Sequence, residues 1–128
     1  MKHPLTFYII CLLAVSCQEE VPVKGFYTGG WEWSQFEPCN NLDEQWWVTG
    51  DTVFFNKYDS LVKAKGDNSN LGPYVYLEVQ GTKSQEGTYG HLGEYIREFE
   101  ITRVDSIEYQ KEIQMGNQKI KEKFCTEM

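Results

Sequence analysis

Few residues in this chain have chemistry to offer. Apart from His3 near the N-terminus, one histidine is present, His91, within Gly87-Thr88-Tyr89-Gly90-His91-Leu92-Gly93-Glu94-Tyr95. A lone imidazole titrating near neutrality suits a proton shuttle or a pH switch. The glycines around it imply a backbone that turns tightly or packs closely, where a histidine caps the turn through main-chain hydrogen bonds. The structural role is the favoured expectation: an ordered crossing turn that closes one barrel end, with His91 hydrogen-bonded and Leu92 buried. Glu98 and Glu100 alternate on what should be an exposed strand face, and Glu32 and Glu37 are scattered. Paired-carboxylate glycoside chemistry needs a cleft and a separation that this spacing does not supply. Metalloprotease, phosphate-loop, nucleophile-elbow and dinucleotide signatures are absent, so neither a catalytic residue nor a cofactor is expected.

The tryptophans could line a binding groove, although burial in the core is the leading reading. Trp31, Trp33, Trp46 and Trp47 are the residue type that stacks sugars or peptides in a groove. Trp46 and Trp47 cannot both face inward on a regular strand, which makes one of them a rim aromatic unless a bulge or a covering segment buries it. Binding at Trp46, Trp47 and His91 is one expectation, and burial in the core is the other.

The cysteines divide by position. Cys11 lies in an apolar leader, Cys17 ends it, and Cys39 and Cys125 remain in the folded part. Two thiols in an oxidising compartment point to one disulfide, and two separate buried thiols are the alternative. Together with a single histidine they lack the local pair spacing of a zinc site, so no metal is expected.

The leader itself is legible. Met1-Lys2-His3 gives a short positive region, and Leu5 to Val15 an apolar run broken only by Thr6. That run is about half the roughly 20 residues a spanning helix needs. It ends in Leu13-Ala14-Val15-Ser16-Cys17, which resembles the lipobox of bacterial lipoproteins; the resemblance implies cleavage before Cys17 and acylation of its thiol. The expected organisation is a signal peptide over 1–16, a lipidated tether over 17–24 and one barrel domain over 25–128. Glutamine rather than aspartate follows Cys17, and Glu19-Glu20 resembles the surface-export signal of Bacteroidetes lipoproteins, which together imply the outer membrane.

Removal of the first 16 of 128 residues leaves 112, enough for one core. Loss of Lys2 takes the net charge from −7 to −8. Such a surface repels polyanions, which argues against nucleic acid as a partner, and its grip on anionic lipid depends on the acyl chains.

Aromatic and β-branched residues in short runs, punctuated by Gly, Asn and Asp, predict an all-β fold. A first strand is expected over Phe26 to Phe36, with a bulge or bend at Gly29-Gly30. Trp46 to Val48 and Thr52 to Phe55 read as one bent strand or a hairpin, and Tyr58 to Ala64 continues the strand pattern. The loop from Gly66 to Pro73 leads into the clearest strand, Tyr74 to Gln80, with Val75, Leu77 and Val79 on one face. Tyr95 to Tyr109 is a long strand whose apolar phase slips near Thr102-Arg103, where a bulge would let it wrap around a small barrel. Gln110 to Met128 is polar and poorly patterned.

The Gly-x-Tyr-Gly-His-Leu-Gly-x-Tyr run, supported by Phe36-Glu37-Pro38-Cys39 and Trp46-Trp47-Val48, resembles a family of small Bacteroidetes-type envelope lipoproteins of unassigned activity. The strand arrangement resembles the OB-fold domain of NlpE-type stress lipoproteins, which implies a small five-stranded OB-like barrel and little about function. The cysteine-pair motif of the other NlpE domain is missing. Three readings follow: a non-catalytic envelope module that binds a small ligand or an envelope protein or has a structural role, an envelope-stress sensor, and a small hydrolase using His91. The first leads.

Overall fold

The computed structural model describes residues 19–127 apart from Trp31, Asp51, 67–71 and 116–117. The leader, Cys17, Trp31 and most of the Gly66 to Pro73 loop thus lie outside the described residues. Strands β1 (Val21–Gly29), β2 (Ser34–Pro38), β3 (Trp46–Gly50), β4 (Val75–Lys83) and β5 (Arg97–Tyr109) close a barrel in the order β1-β2-β3-β5-β4. Neighbours pair antiparallel except β3 and β5, which run parallel. This is the OB-like barrel that the strand pattern predicts. Two short helices accompany it, α1 (Thr52–Ala64) between β3 and β4 and α2 (Gln118–Glu127) at the C-terminus.

Period-two alternation sorts the side chains. Val75, Leu77 and Val79 of β4 point inward beside Tyr27 of β1. Phe36, Trp46 and Phe99 come together inside the barrel with ring centroids 5.4 to 5.7 Å apart. β5 keeps its apolar residues inside only by slipping twice. Thr102 is skipped between the pairs Gln80–Arg103 and Gly81–Ile101, and Asp105 is skipped between Glu78–Ser106 and Val79–Val104. Phe99 and Ile101, then Val104, then Ile107 and Tyr109 all join the interior cluster as a result. The first slip is the bulge expected near Thr102-Arg103, and the second adds the twist that a closing strand needs.

Three expectations are corrected. Phe26 to Phe36 is not one strand, because Gly30 to Trp33 turns the chain into a β1–β2 hairpin, with the Gly30 N–H donating to the Trp33 carbonyl at 2.9 Å. Val21 to Lys24, expected within the tether, instead belong to β1 and pair with β4. Residues 52–64 are helical rather than extended. Phe54, Tyr58, Leu61 and Val62 follow helical spacing, and Phe54 and Tyr58 drop into the interior, edge-on to Tyr27 at 4.8 and 4.9 Å.

The alternate, outward face of β1 and β4 carries Phe26 and Tyr76, which require a cover of their own. The C-terminal segment supplies it. Ile113 is fully buried against them, and Phe124 of α2 sits 6.4 Å from Phe26 and 6.1 Å from Tyr76. Gln114 stitches the connection to β4, its amide donating to the Tyr74 carbonyl and accepting from the Tyr74 N–H, each at 2.7 Å. Cys39 and Cys125 are joined, with their Cα atoms 5.5 Å apart. Closing a loop with a sequence separation of 86 removes about 4.6 kcal/mol of unfolded-chain entropy in the simplest polymer model. Beside the disulfide, the Lys121 ammonium donates to Glu37 at 2.7 Å and lies 3.9 Å above the Tyr74 ring. Both charged groups are nearly withdrawn from water. The Tyr76 phenol is pushed up to about 12 by burial first and by the Glu78 carboxylate next.

A buried ion pair is far more sensitive to the loss of one partner than to the loss of both. Lys121→Met should therefore destabilise the protein by about 3 kcal/mol through the stranded Glu37 carboxylate. The double change Glu37→Met with Lys121→Met should recover most of that loss. Chemical denaturation of the oxidised single and double variants measures the difference.

Candidate functional site

One cleft of about 850 Å³ opens on the barrel wall where four segments meet: the β1–β2 turn, β3, α1 and the β4–β5 connection. The turn supplies Glu32, Trp33 and Ser34, β3 supplies Trp47 and Thr49, α1 supplies Phe55 and Asp59, and the β4–β5 connection supplies His91. The volume suits a small ligand.

The neighbouring tryptophans part company here. Trp46 is buried, packed with Phe36 and Phe99, and its indole N–H donates to Glu44 at 2.9 Å. It belongs to the core and does not reach the cleft. Trp47 points the other way, half-buried, with its ring 5.1 Å from that of Tyr95. The expectation that only one of the pair faces inward therefore holds, and Trp47 is the rim residue. His91 joins it on the cleft wall.

The β4–β5 connection behaves differently from the expected crossing turn. β4 and β5 are direct sheet neighbours, so the segment is a long hairpin loop. It is ordered by main-chain bonds: Ser84 N–H to the Glu98 carbonyl at 2.8 Å, Gly87 N–H to Ile96 at 2.9 Å, and reciprocal bonds between Tyr89 and Tyr95 at 2.9 and 3.2 Å. The Arg97 guanidinium donates to the Ser84 carbonyl at 2.8 Å and to Glu86 at 3.2 Å. Beyond the Tyr89–Tyr95 pair the chain makes a tight turn, His91–Gly93. Leu92 is 79% exposed there rather than buried, in a left-handed conformation unusual for leucine. His91 is exposed too, and its ring makes no hydrogen bond among the described residues. The structural role expected of it is not the one it has. A tip this short projects its side chains past the hairpin, and no neighbouring element covers them.

Gly90 explains why a glycine must precede that histidine. Its φ of 70° and ψ of −162° fall where only glycine is comfortable. A Cβ at this position would lie 2.6 Å from the Trp47 indole. The backbone of the loop is thus laid directly on the tryptophan. Elsewhere on the rim Trp33 rests against Gly30 in the same manner, since a Cβ on Gly30 would sit 2.3 Å from its ring.

The floor between these rims is fixed by hydroxyls. Ser34 Oγ donates to the Val48 carbonyl at 2.9 Å and lies 3.2 Å from the Tyr27 hydroxyl. Burial drives the Tyr27 phenol well above its ordinary range, with the Ser34 hydrogen bond opposing the shift. The Tyr58 hydroxyl donates to the Pro73 carbonyl at 2.6 Å and accepts weakly from the Gly29 N–H at 3.4 Å. Tyr95 is raised by burial and then by Glu94. The Tyr27 phenol in the floor therefore stays neutral at physiological pH. Among the described residues no group of three His, Cys, Asp or Glu side chains is placed to hold a metal ion, and no helix is long and apolar enough to cross a membrane.

Asp59, Phe55 and Tyr58 join the site from a helix that the sequence reading assigns to strand. The spacing of Phe54, Tyr58 and Leu61 is the signal that finds that helix, and Phe55 and Asp59 then fall together on its adjoining face. No family model matches the chain, and no curated protein or solved structure matches it either.

Two variants separate the contributions of the loop. His91→Ala should change stability by less than about 0.5 kcal/mol, as expected of an exposed side chain without partners. Gly90→Ala should cost about 2 kcal/mol through backbone strain and displacement of Trp47. Thermal unfolding followed by tryptophan fluorescence reports both, with an altered emission in the folded state only for Gly90→Ala.

Proposed function

We propose that this chain is an exported bacterial lipoprotein whose barrel is a non-catalytic binding module, with the cleft framed by Trp33, Trp47 and His91 as its ligand site. The observation that carries this reading is the placement of the aromatics. OB-type barrels hold extended ligands on the face of their second and third strands, between the β1–β2 and β4–β5 loops. The cleft lies on those strands and loops, and two indoles, Trp33 and Trp47, line it. Stacking on sugar or peptide units is the chemistry such surfaces offer.

The alternative hydrolase reading draws less support. Ser34, the hydroxyl nearest to a nucleophile in the cleft, directs its proton to the Val48 carbonyl. His91 has no carboxylate orienting it among the described residues, which leaves the imidazole without the third member of a relay. The sensor reading rests on the OB-like architecture alone.

The address belongs to the same proposal. Acylated Cys17 would hold the protein on the outer membrane, with the bilayer as its standing partner and a small ligand or an envelope protein in the cleft. Nucleic acid is disfavoured by the net charge of −7. With β1 beginning at Val21, only a few residues would separate the lipid from the barrel, so the cleft would work close to the membrane surface.

Cys17→Ala should move the protein from the membrane fraction to the soluble one; retention of this variant in the membrane after normal leader removal would refute the anchor. For the cleft, amide shifts of the full-length protein in detergent micelles can be followed while chitotriose or a capped trilysine peptide is added. Shifts gathered at Trp33, Trp47 and His91, lost in Trp47→Ala, with the probe recovered intact, are the expected result. Shifts elsewhere, or cleavage of either probe, would count against a non-catalytic cleft.

A further inference from the structure

The sign of charge in the cleft narrows what it can hold. Glu32 and Asp59 lie on its wall, from the β1–β2 turn and from α1, while among the described residues no lysine or arginine lines it. Lys57 and Lys63 flank Asp59 on α1 but do not line the cleft, and three other basic side chains are engaged elsewhere. Arg97 is committed to Ser84 and Glu86, Lys83 lies over Trp46 on the core side, and Lys121 is buried against Glu37. The two carboxylates come from separate elements and share the cleft with Trp33, Trp47 and Phe55. Aromatic faces carry negative charge, so rings and carboxylates together favour a cation and resist an anion.

From this we infer that the ligand of the cleft presents an alkylammonium group, held over the Trp33 and Trp47 rings with Glu32 and Asp59 as its counter-charges. A lysine side chain of a peptide and a free polyamine share that chemistry. The inference rests on the cleft being a ligand site and adds the charge of its occupant. Neutral sugars can stack on the rings and donate hydroxyls to the acids but supply no counter-charge, and phosphorylated or carboxylated ligands are repelled.

The test compares ligands that differ only in charge. Full-length protein in neutral detergent micelles is titrated by tryptophan fluorescence with capped trilysine, with the same peptide acetylated on all three amines, with spermidine and with chitotriose. At least tenfold tighter binding of trilysine than of its acetylated form is expected, along with an equal or greater loss for trilysine in Glu32→Gln/Asp59→Asn. Both substituted positions are exposed, so this variant should fold normally. Glu122→Gln/Glu127→Gln, which removes two exposed negative charges from α2, an element that does not line the cleft, should leave the affinity unchanged. Spermidine binding with the same dependence on Glu32 and Asp59 would identify a free polyamine as sufficient, and its failure beside tight trilysine binding would assign the site to lysine in a peptide. Equal binding of trilysine and its acetylated form, or of chitotriose alone, would overturn the charge inference while leaving the cleft as a ligand site. An equal loss of affinity in both double variants would reduce the effect to general attraction by an acidic surface and overturn it too. Absence of binding by all four probes would remove both readings.

Discussion

Barrel closure depends on a strand that must satisfy two partners of opposite direction. β5 runs antiparallel to β4 along most of its length and parallel to β3 over its first residues. Parallel and antiparallel ladders place their hydrogen bonds differently, and a flat strand serving both would splay the sheet open. The skipped residues Thr102 and Asp105 resolve the conflict by coiling β5 between its partners. They also return the apolar side chains to the inside after each coil. Without them Val104 would face solvent, and the interior would lose its continuity between Ile101 and Ile107.

Closure in turn leaves Phe26 and Tyr76 on the wrong side of the wall. A barrel wall one strand thick cannot hide both of its faces, so the protein builds a second, smaller core on the outside. The disulfide, the Lys121–Glu37 pair and Phe124 act on the same short helix from three directions. Few apolar residues are available in α2, and its amphipathic pattern alone is weak support for a ten-residue helix. Covalent and ionic fastening does for this layer what area burial does for the interior. The ion pair is the more delicate of the two fastenings, because each charge is tolerable only while the other is in place.

Much of this was legible in the sequence and some was not, for reasons that can be named. The β4 alternation of Val75, Leu77 and Val79 and the phase slip at Thr102 are local signals with a single reading, and both appear as expected. Thr52 to Ala64 carries β-branched and aromatic residues in dipeptide runs, so strand preference and helical spacing compete, and tertiary packing of Phe54 and Tyr58 on Tyr27 decides for helix. The Cys39–Cys125 pairing follows from elimination of the other cysteines, whereas the helix that carries Cys125 has too few apolar residues to announce itself. His91 misleads because three surrounding glycines signal close packing without saying which residue is packed upon. Here Gly90 lies against Trp47, while the histidine and Leu92 are left outside.

That last contrast bears on how the proposed binding face would be made in so small a protein. Adjacent tryptophans on β3 are split by the strand period, one committed to the interior and the other exposed at the wall. A half-exposed indole would ordinarily be free to turn. Trp47 is instead held by the edge contact with the Tyr95 ring and by the Gly90 backbone, and Trp33 is set against Gly30, so both indoles are fixed by their neighbours rather than loose. Rings fixed in advance lose little conformational entropy when something stacks on them, which favours recognition by a cleft that has few polar groups to contribute. The glycines that seemed to single out a histidine thus serve the tryptophans, and the site reads as an aromatic frame with acidic trim.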